Sequence, residues 1–455
     1  MRDSHGFSEN NYLILATTGM AATVVSGYTC HSHQYGFSLP VGKKQAFSKL
    51  KGEALKYQQK RLKNLNLLII DEFSMLRQKE LFYISERLKQ IKGNDLVFGG
   101  VCVILIGDPA QLPPVGGESL WVKPKSSTSQ DDRNGSMIYT LFSECVILRE
   151  NNRLDPNDPD SIFFNNILDR VRNAEITHED MNEIRKKCSM FKLGNHEFQK
   201  RGFLDVGITR LYCTNKKAKA YNDSQIINLQ ISGNFRKIVR ITAHNSERAR
   251  KFDNQYANNL ENDIFLSVDS KVLLIHNTKQ DAKLVNGSMG FVKDIIYMEG
   301  TSPPSLPMFV LVDFGAEYNG ENFFQMTPPK NWVPIKPVTV EWWTRKSDGT
   351  TDTHSRIQLP LKLAWALTVW KSQGQTIRGK FCIDLEKQEK SHGLSYVALS
   401  RATKFSNIGL ISALTGSRIK AINNNAATKV RKSHEVELET VSKLTEEKLR
   451  NLTDN

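Results

Sequence analysis

Two adjacent carboxylates, Asp71 and Glu72, close the short apolar run LLIIDE. An acid at such a strand end can hold Mg2+, and a second acid beside it can polarise a water for attack on a γ-phosphate. By themselves two acids at a strand end suit a solvated turn equally well. A second apolar run leads into GDPAQLPPV over residues 107–115 and places the amide of Gln111 where it could sense the same phosphate. A lone glutamine there can instead satisfy loop backbone. The two motifs on neighbouring strands are far more specific than either alone.

The elements that must position these residues are legible as periodicity. YLILATTG (12–19), LLIIDEFSM (67–75) and VCVILIGDPAQLPPV (101–115) read as buried parallel strands whose C-terminal ends carry chemistry. Between them, Leu81, Ile84, Leu88 and Ile91 recur at spacings of three and four and predict a helix from Gln78 to Ile91. Residues 123–137 carry no core-forming pattern and read as a polar loop. A second block opens near Leu148, with an amphipathic helix around 160–173, a strand at 208–214 and a helix-like run after it. From about 270 to 345 short β-like runs separated by turn residues suggest a small β-barrel insertion. The α/β pattern returns at 361–412, and residues 430–452 read as a charged tail helix. No internal repeat is evident.

The totals narrow the function classes. A chain of 455 residues is long enough for two or three domains. Its 39% hydrophobic and 24% charged residues give a globular balance. A net charge of +14 suits a polyanionic partner, since each neutralised phosphate releases counterions, although many basic proteins bind no nucleic acid. The cysteines Cys30, Cys102, Cys145, Cys188, Cys213 and Cys382 form no C-x-x-C pair and no zinc-ligand spacing, which reads as reduced thiols. No segment approaches the ~20 apolar residues of a membrane span. The expectation is a soluble, intracellular chain with no membrane partner.

At this point the sequence resembles the Pif/RecD branch of superfamily-one DNA helicases. GDPAQLPPV is close to a signature there. Further matches follow in the family's order: ATTGMAATVVSGYTCHS (16–32), NNRLD (151–155), TNKKAKAYN (214–222), KLVNGSMG (283–290), LPLKLAWALTVWKSQGQTI (359–377) and YVALSRA (396–402). The resemblance implies that Asp71 binds Mg2+, Glu72 is the catalytic base, and Gln111 senses the γ-phosphate. It makes Arg153 and Arg401 the two arginines that clamp the transferring phosphoryl group, a task suited to a planar guanidinium. Gly107, Asp108, Gln111, Gly374 and Gln375 fall in its ATP-contacting segments. Thr18, Thr29, His31, Ser32, Lys371, Ser372 and Gln373 fall in segments that contact single-stranded DNA. Trp370 departs from the pattern, standing where a His is usual; its ring suits either base stacking or burial between sheet and helix, with burial favoured.

The resemblance implies an α/β fold of tandem RecA-like domains. The first, incomplete, would span 1–147, and the second 148–455, carrying the SH3-like barrel insertion. ATP and Mg2+ would be its cofactors. Its partners would be single-stranded DNA and duplex junctions, and its action 5′-to-3′ unwinding in repair, recombination, replication and telomere maintenance; the oligomeric state stays open, with a monomer favoured. The nucleus is the expected location and the mitochondrion the alternative. One part of the pattern is missing: no G-x-x-x-x-G-K-[ST] loop occurs, and neither GKK at 42–44 nor GKF at 379–381 fits it. Two explanations stand open: a truncated form of an active helicase, favoured because the later catalytic residues are intact, or a non-catalytic DNA-binding remnant derived from a mobile element, since Helitron-type transposons carry similar helicases.

Overall fold

The computed structural model describes residues 11–25, 27–32, 36–37, 39–40, 47–205, 207–231, 237–254, 256–278, 284, 286–315, 318, 320–323, 331–345, 351–389, 391–412 and 415–453. The N-terminal residues 1–10, the GKK run at 42–44 and parts of 16–32 and 283–290 lie outside them. The chain divides into two compact units, Met1–Asp205 with Val369–Asn455, and Val206–Thr368.

The first unit is built on a parallel sheet of β1 (Tyr12–Ala16), β2 (Tyr28–Thr29), β3 (Leu67–Asp71) and β4 (Cys102–Leu105), in the order β2-β1-β3-β4. Register pairs Ala16 with Asp71 and Ile70 with Leu105, so the three longer strands end level with one another. Leu13, Leu15, Leu68 and Ile70 pack in one core with Leu81, Ile84, Leu88 and Ile91, the predicted stripe of the Gln78–Lys92 helix. Each such side chain contributes about 1.5–3 kcal/mol on burial. Glu80 closes the start of that helix by accepting the Arg77 N–H at 2.9 Å. Gly93 ends it at φ 68°, a left-handed stop. β4 departs from the expectation of a buried strand. It is an end strand of the sheet as described, and its uncovered face leaves Ile104 40% and Ile106 46% exposed.

The expected polar loop at 123–137 instead contains most of a helix, Gln130–Tyr139. Ser129 caps it by accepting the Asp132 N–H at 3.2 Å. Tyr83 donates to Asp131 at 2.6 Å, and the Lys79 N–H donates to Asp132 at 3.2 Å. Its contact face rests on Gly135, where a Cβ would stand 1.8 Å from the Gln78 carbonyl oxygen. A helix docked by close backbone approach and polar contacts carries no apolar period, and this is why the pattern gave no signal.

The expected boundary at 147–148 falls inside the first unit. The tail helix, Ala426–Thr453, binds that stretch on both sides: the Cys145 N–H donates to Thr445 at 3.0 Å and Arg149 pairs with Glu439 at 2.9 Å. Phe381–Asp384 and Ile408–Leu410 form a parallel pair in the same unit, with the helix Leu394–Leu399 between them in sequence.

In the second unit, Thr209–Tyr212 pairs in parallel with Ala366–Thr368, and the helix Asn215–Ile231 follows the first of these strands. An antiparallel sheet of five strands runs in the order Trp332–Ile335, Phe309–Asp313, Met289–Ile296, Lys271–Leu274, Leu361–Leu363. Its core includes Val272, Leu274, Val292, Val310, Val312, Val333 and Ile335. The β-rich stretch thus reaches past the expected 270–345, taking in Val239–Thr242 with Asp263–Leu266 and the ladder Val338–Arg345 with Thr351–Gln358. Buried Arg356 fastens that ladder to the preceding loop by donating to Asn245, Asn254 and the Leu260 and Ala249 carbonyls at 2.7–3.2 Å.

Gly135→Ala sets a methyl against backbone that cannot yield cheaply. We expect a loss of about 1–3 kcal/mol, read as a lower thermal midpoint. An unchanged midpoint would place the 130–139 helix elsewhere.

Candidate active site

β3 ends on Asp71, and the chain then turns sharply. Glu72 adopts φ 54°, ψ 45°, a left-handed conformation unfavourable for a non-glycine residue by roughly 1–2 kcal/mol. Four bonds hold the turn. The Thr17 hydroxyl donates to the Glu72 carbonyl at 2.9 Å, the Glu72 N–H to Asp71 Oδ1 at 2.9 Å, the Phe73 N–H to the Ile106 carbonyl at 3.0 Å, and the Ile106 N–H to the Ile70 carbonyl at 2.8 Å. Gly107 lets the next loop close in, since a Cβ there would lie 2.9 Å from the Phe73 nitrogen. The acidic turn and the GDPAQ loop are therefore one locked piece of backbone.

Burial raises both carboxyls above their ordinary range. For Asp71 the opposing influence is the hydrogen bond from the Glu72 N–H. For Glu72, burial is opposed by a hydrogen bond from Gln373 and by the charge of Arg401, while Asp71 and Asp108 push it further up. Two acids withdrawn from water and repelling one another favour a cation between them. Among the described residues no cluster of three or more His, Cys, Asp or Glu could cage a metal. That donor set fits Mg2+, which takes one or two carboxylates and fills its octahedron with phosphate oxygens and water.

Gln111 lies in the loop beside them. Its N–H donates to the Asp108 carbonyl at 3.0 Å, and its side-chain Oε1 is buried without a partner. A buried acceptor left unpaired costs about 1–3 kcal/mol, so this oxygen is set to receive a donor such as water. Gly393 backs the loop closely, for a Cβ there would sit 2.4 Å from the Ala110 carbonyl oxygen. Asp108 accepts from the Ala110 N–H at 3.0 Å and from Arg172 at 2.7 Å, so it serves the loop's own shape.

Arg401 is 2% exposed and donates to the Val397 and Gln375 carbonyls and to Ser400 Oγ at 2.8–3.0 Å. Burial lowers it to about 10; nearby Arg153 adds to this and Glu72 opposes it. Half-buried Arg153 donates to the Ser400 carbonyl at 2.6 Å and to Thr376 at 3.1 Å, and burial lowers it against the opposing pull of Tyr396 and Glu72. Both guanidiniums are anchored by neutral acceptors, and both are short of negative charge. An entering anion would relieve both. Gly374, at φ 78°, brings its backbone beside them, with its Cβ position 3.5 Å from Glu72 Oε1. The Gln375 N–H donates to the Ser372 carbonyl at 3.0 Å.

The residues expected on DNA are placed unevenly. Thr18 accepts the Ala21 N–H at 3.1 Å and caps the helix Gly19–Val24, and Thr29 ends β2 half-buried. His31 Nε2 meets Glu80 Oε1 at 3.1 Å, and the Ser32 N–H donates to the Thr29 carbonyl at 3.0 Å. Burial would raise Glu80, but hydrogen bonds from His31 and Arg77 hold it at about 2. Lys371 is exposed, whereas Ser372 is fully buried with its hydroxyl donated to the Val369 carbonyl at 2.8 Å. Gln373, also buried, donates to Glu72 Oε2 at 3.0 Å and Ser74 Oγ at 3.1 Å, which ties it to the acidic turn. Trp370 is half-exposed, so its ring is not fully buried between sheet and helix. Sequence reasoning passed over Thr17, Arg172, Gly393 and Tyr396, which act here through tertiary contacts that no local pattern announces.

The family model described as PIF1-like helicase matches residues 5–182. Over those residues the chain is similar to the PIF1-like helicases. It is 27% identical to the ATP-dependent DNA helicase Pif1 of a Psychrobacter species, over 87% of this chain and 60% of the relative's length. It is 28% identical to that of Bdellovibrio bacteriovorus, over 88% of this chain and 77% of the relative. A crystal structure of Bacteroides Pif1 bound to single-stranded DNA aligns with a TM-score of 0.64 at 22% identity, covering 94% of this chain and 89% of that one. The shared fold is α/β, of tandem RecA-like domains. The matched span contains the locked turn, the Gln111 loop and Arg153.

Because Glu72 is raised, its ionisation lowers stability once pH rises through its folded midpoint, and it has no such effect when protonated well below the ordinary carboxylate range. Glu72→Gln should therefore raise stability at pH 7 by on the order of 1 kcal/mol, with the gain fading toward pH 4. A loss of stability at pH 7, in thermal melts across that range, would contradict the burial argument.

Proposed function

We propose that this chain supplies most of an ATP-dependent DNA helicase motor of the PIF type. The observation that carries the reading is the pairing of two under-compensated acids, half-buried Asp71 and buried Glu72, with two under-compensated guanidiniums, Arg153 and Arg401. Mg2+-ATP supplies both missing charges, its cation to the acids and its phosphate oxygens to the arginines, and the phosphoryl group to be transferred. Asp71 would hold the metal. Glu72, raised toward neutrality and turned inward by the strained backbone, would orient and deprotonate a water, while unpaired Gln111 Oε1 accepts from that water. Arg153 and Arg401 would stabilise charge developing on the phosphoryl oxygens. Gly374 and Gln375 would approach by backbone beside Glu72, and Gly107 and Asp108 would fix the loop.

Related proteins support the DNA side. One Bacteroides Pif1 structure is bound to single-stranded DNA and another is in complex with ADP-AlF3 and single-stranded DNA, while a further similar structure concerns unwinding of forked duplex DNA by two coordinating Pif1 helicases. In this chain Thr18, Thr29, His31, Ser32 and Lys371 are the side chains offered to a DNA backbone, with the net charge of +14 behind them. Ser372 and Gln373 would contribute through backbone alone. Gln373, bonded to Glu72, would carry DNA engagement to the base. The polarity would be 5′-to-3′, and the work repair, recombination and telomere maintenance, in nucleus or mitochondrion.

A second reading takes these 455 residues by themselves, among which no G-x-x-x-x-G-K-[ST] loop occurs. Without its backbone N–H groups and lysine, β- and γ-phosphates lose most of their cradle. On this reading the chain is a DNA-binding remnant without turnover.

DNA-stimulated ATP hydrolysis separates the two. The helicase reading predicts little turnover by these residues alone, clear turnover when a phosphate loop is joined ahead of Tyr12, and a loss of about 100-fold or more from that level in Glu72→Gln. Salt-sensitive single-strand binding with no turnover in either form would establish the remnant.

A further inference from the structure

The tail helix reaches the site at two places through one turn of its surface. Glu435 accepts from Arg172 at 2.6 Å, and the same Arg172 nitrogen donates to Asp108 in the Gln111 loop at 2.7 Å. Arg431, 1% exposed, steadies both partners, pairing with Glu435 at 3.1 Å and donating to the Arg172 carbonyl at 2.8 Å. One residue away, His434 stacks flat on Trp121, with ring centroids 5.6 Å apart and planes 1° apart, and shares a 2.9 Å hydrogen bond with the Tyr139 hydroxyl. Trp121 and Tyr139 in turn contact Phe73, the residue after Glu72, at 6.1 and 6.5 Å.

We propose that Arg172, His434 and Glu435 are positioning residues, and that the tail helix is a brace holding the Gln111 loop and the acidic turn in register. The Glu435–Arg172–Asp108 chain fixes the loop, and the His434–Trp121–Phe73 chain fixes the turn. Asp108 organises its loop by accepting the Ala110 N–H and offering its carbonyl to the Gln111 N–H. Whatever fixes the Asp108 carboxylate therefore fixes Gln111. Arg172 does so as a fork between two acids, and its side chain is only 28% exposed, so water screens the contacts incompletely. Asp108 and Glu435 outweigh the burial that would pull Arg172 down and hold it above its usual range. Phe73 lies one residue from the strained Glu72, so the aromatic stack limits how that turn can relax.

The consequence for hydrolysis rests on the helicase reading, but the brace can be tested without nucleotide. Amide exchange in the 455-residue chain reads it directly, because the Ala110 and Gln111 N–H groups both bond to Asp108 and the Phe73 N–H bonds to Ile106. Glu435→Gln and Arg172→Leu should speed exchange at Ala110 and Gln111 by on the order of tenfold, with the β3 amides and the thermal midpoint little changed. Arg172→Lys, which keeps one contact to Asp108, should restore part of the protection. His434→Ala should speed exchange at Phe73 and leave Ala110 alone. Glu447→Gln, on the exposed end of the same helix, should change neither. Unchanged exchange at Ala110 and Gln111 in both loop variants, or a uniform rise across the first unit, overturns the brace. Failure of turnover in the ATPase experiment would leave this result standing, so the two readings fail separately.

Discussion

The repulsion and desolvation of two neighbouring carboxylates at the end of a parallel strand set the conditions for the structure around them. Asp71 and Glu72 are drawn out of water by the same packing that forms the first unit's core, and burial raises both. Left alone, such a pair would favour opening the strand end. What keeps it in place is backbone: the Thr17 hydroxyl on the Glu72 carbonyl, the Phe73 N–H on Ile106, and the close approach that only glycine permits at 107. The strain at Glu72 and the unpaired oxygen of Gln111 belong to the same arrangement, in which local stability is held below its optimum at the place where a ligand would restore it.

The surrounding groups answer this charge in layers. Gln373 donates to Glu72 directly, and Arg401 and Arg153 lie within electrostatic reach. Beyond them Arg172, Tyr396 and Glu435 settle Asp108, a third acid that would otherwise add to the repulsion. Parts of the chain far apart in sequence thus converge on one electrostatic problem within the first unit.

Much of this was legible in the sequence where side chains repeat. β1, β3 and the 78–92 helix were visible because each buries a regular apolar stripe, and the site residues at strand ends followed from strand direction. Features held by backbone or by distant polar partners were not. The Gln130–Tyr139 helix docks on a glycine, β4 is apolar yet half uncovered, and the tail helix packs back onto the stretch around 147–148, a contact that no local pattern announces. Resemblance to a family assigned Ser372 and Gln373 to DNA, but a motif fixes residue types and leaves side-chain direction to packing: one hydroxyl turns back on its own helix and one amide turns to the acid.

Burial holds Asp71 and Glu72 in a raised, cation-seeking state. Carbon-detected NMR titration of the two side-chain carboxyls in the 455-residue chain tests it most directly. The account predicts that both midpoints lie above the ordinary carboxylate range, and that the Glu72 midpoint rises further in Gln373→Ala, which removes its hydrogen bond. Midpoints at or below the ordinary range for both acids would mean that water or an unrecognised partner already compensates them, and the account of the site would be wrong.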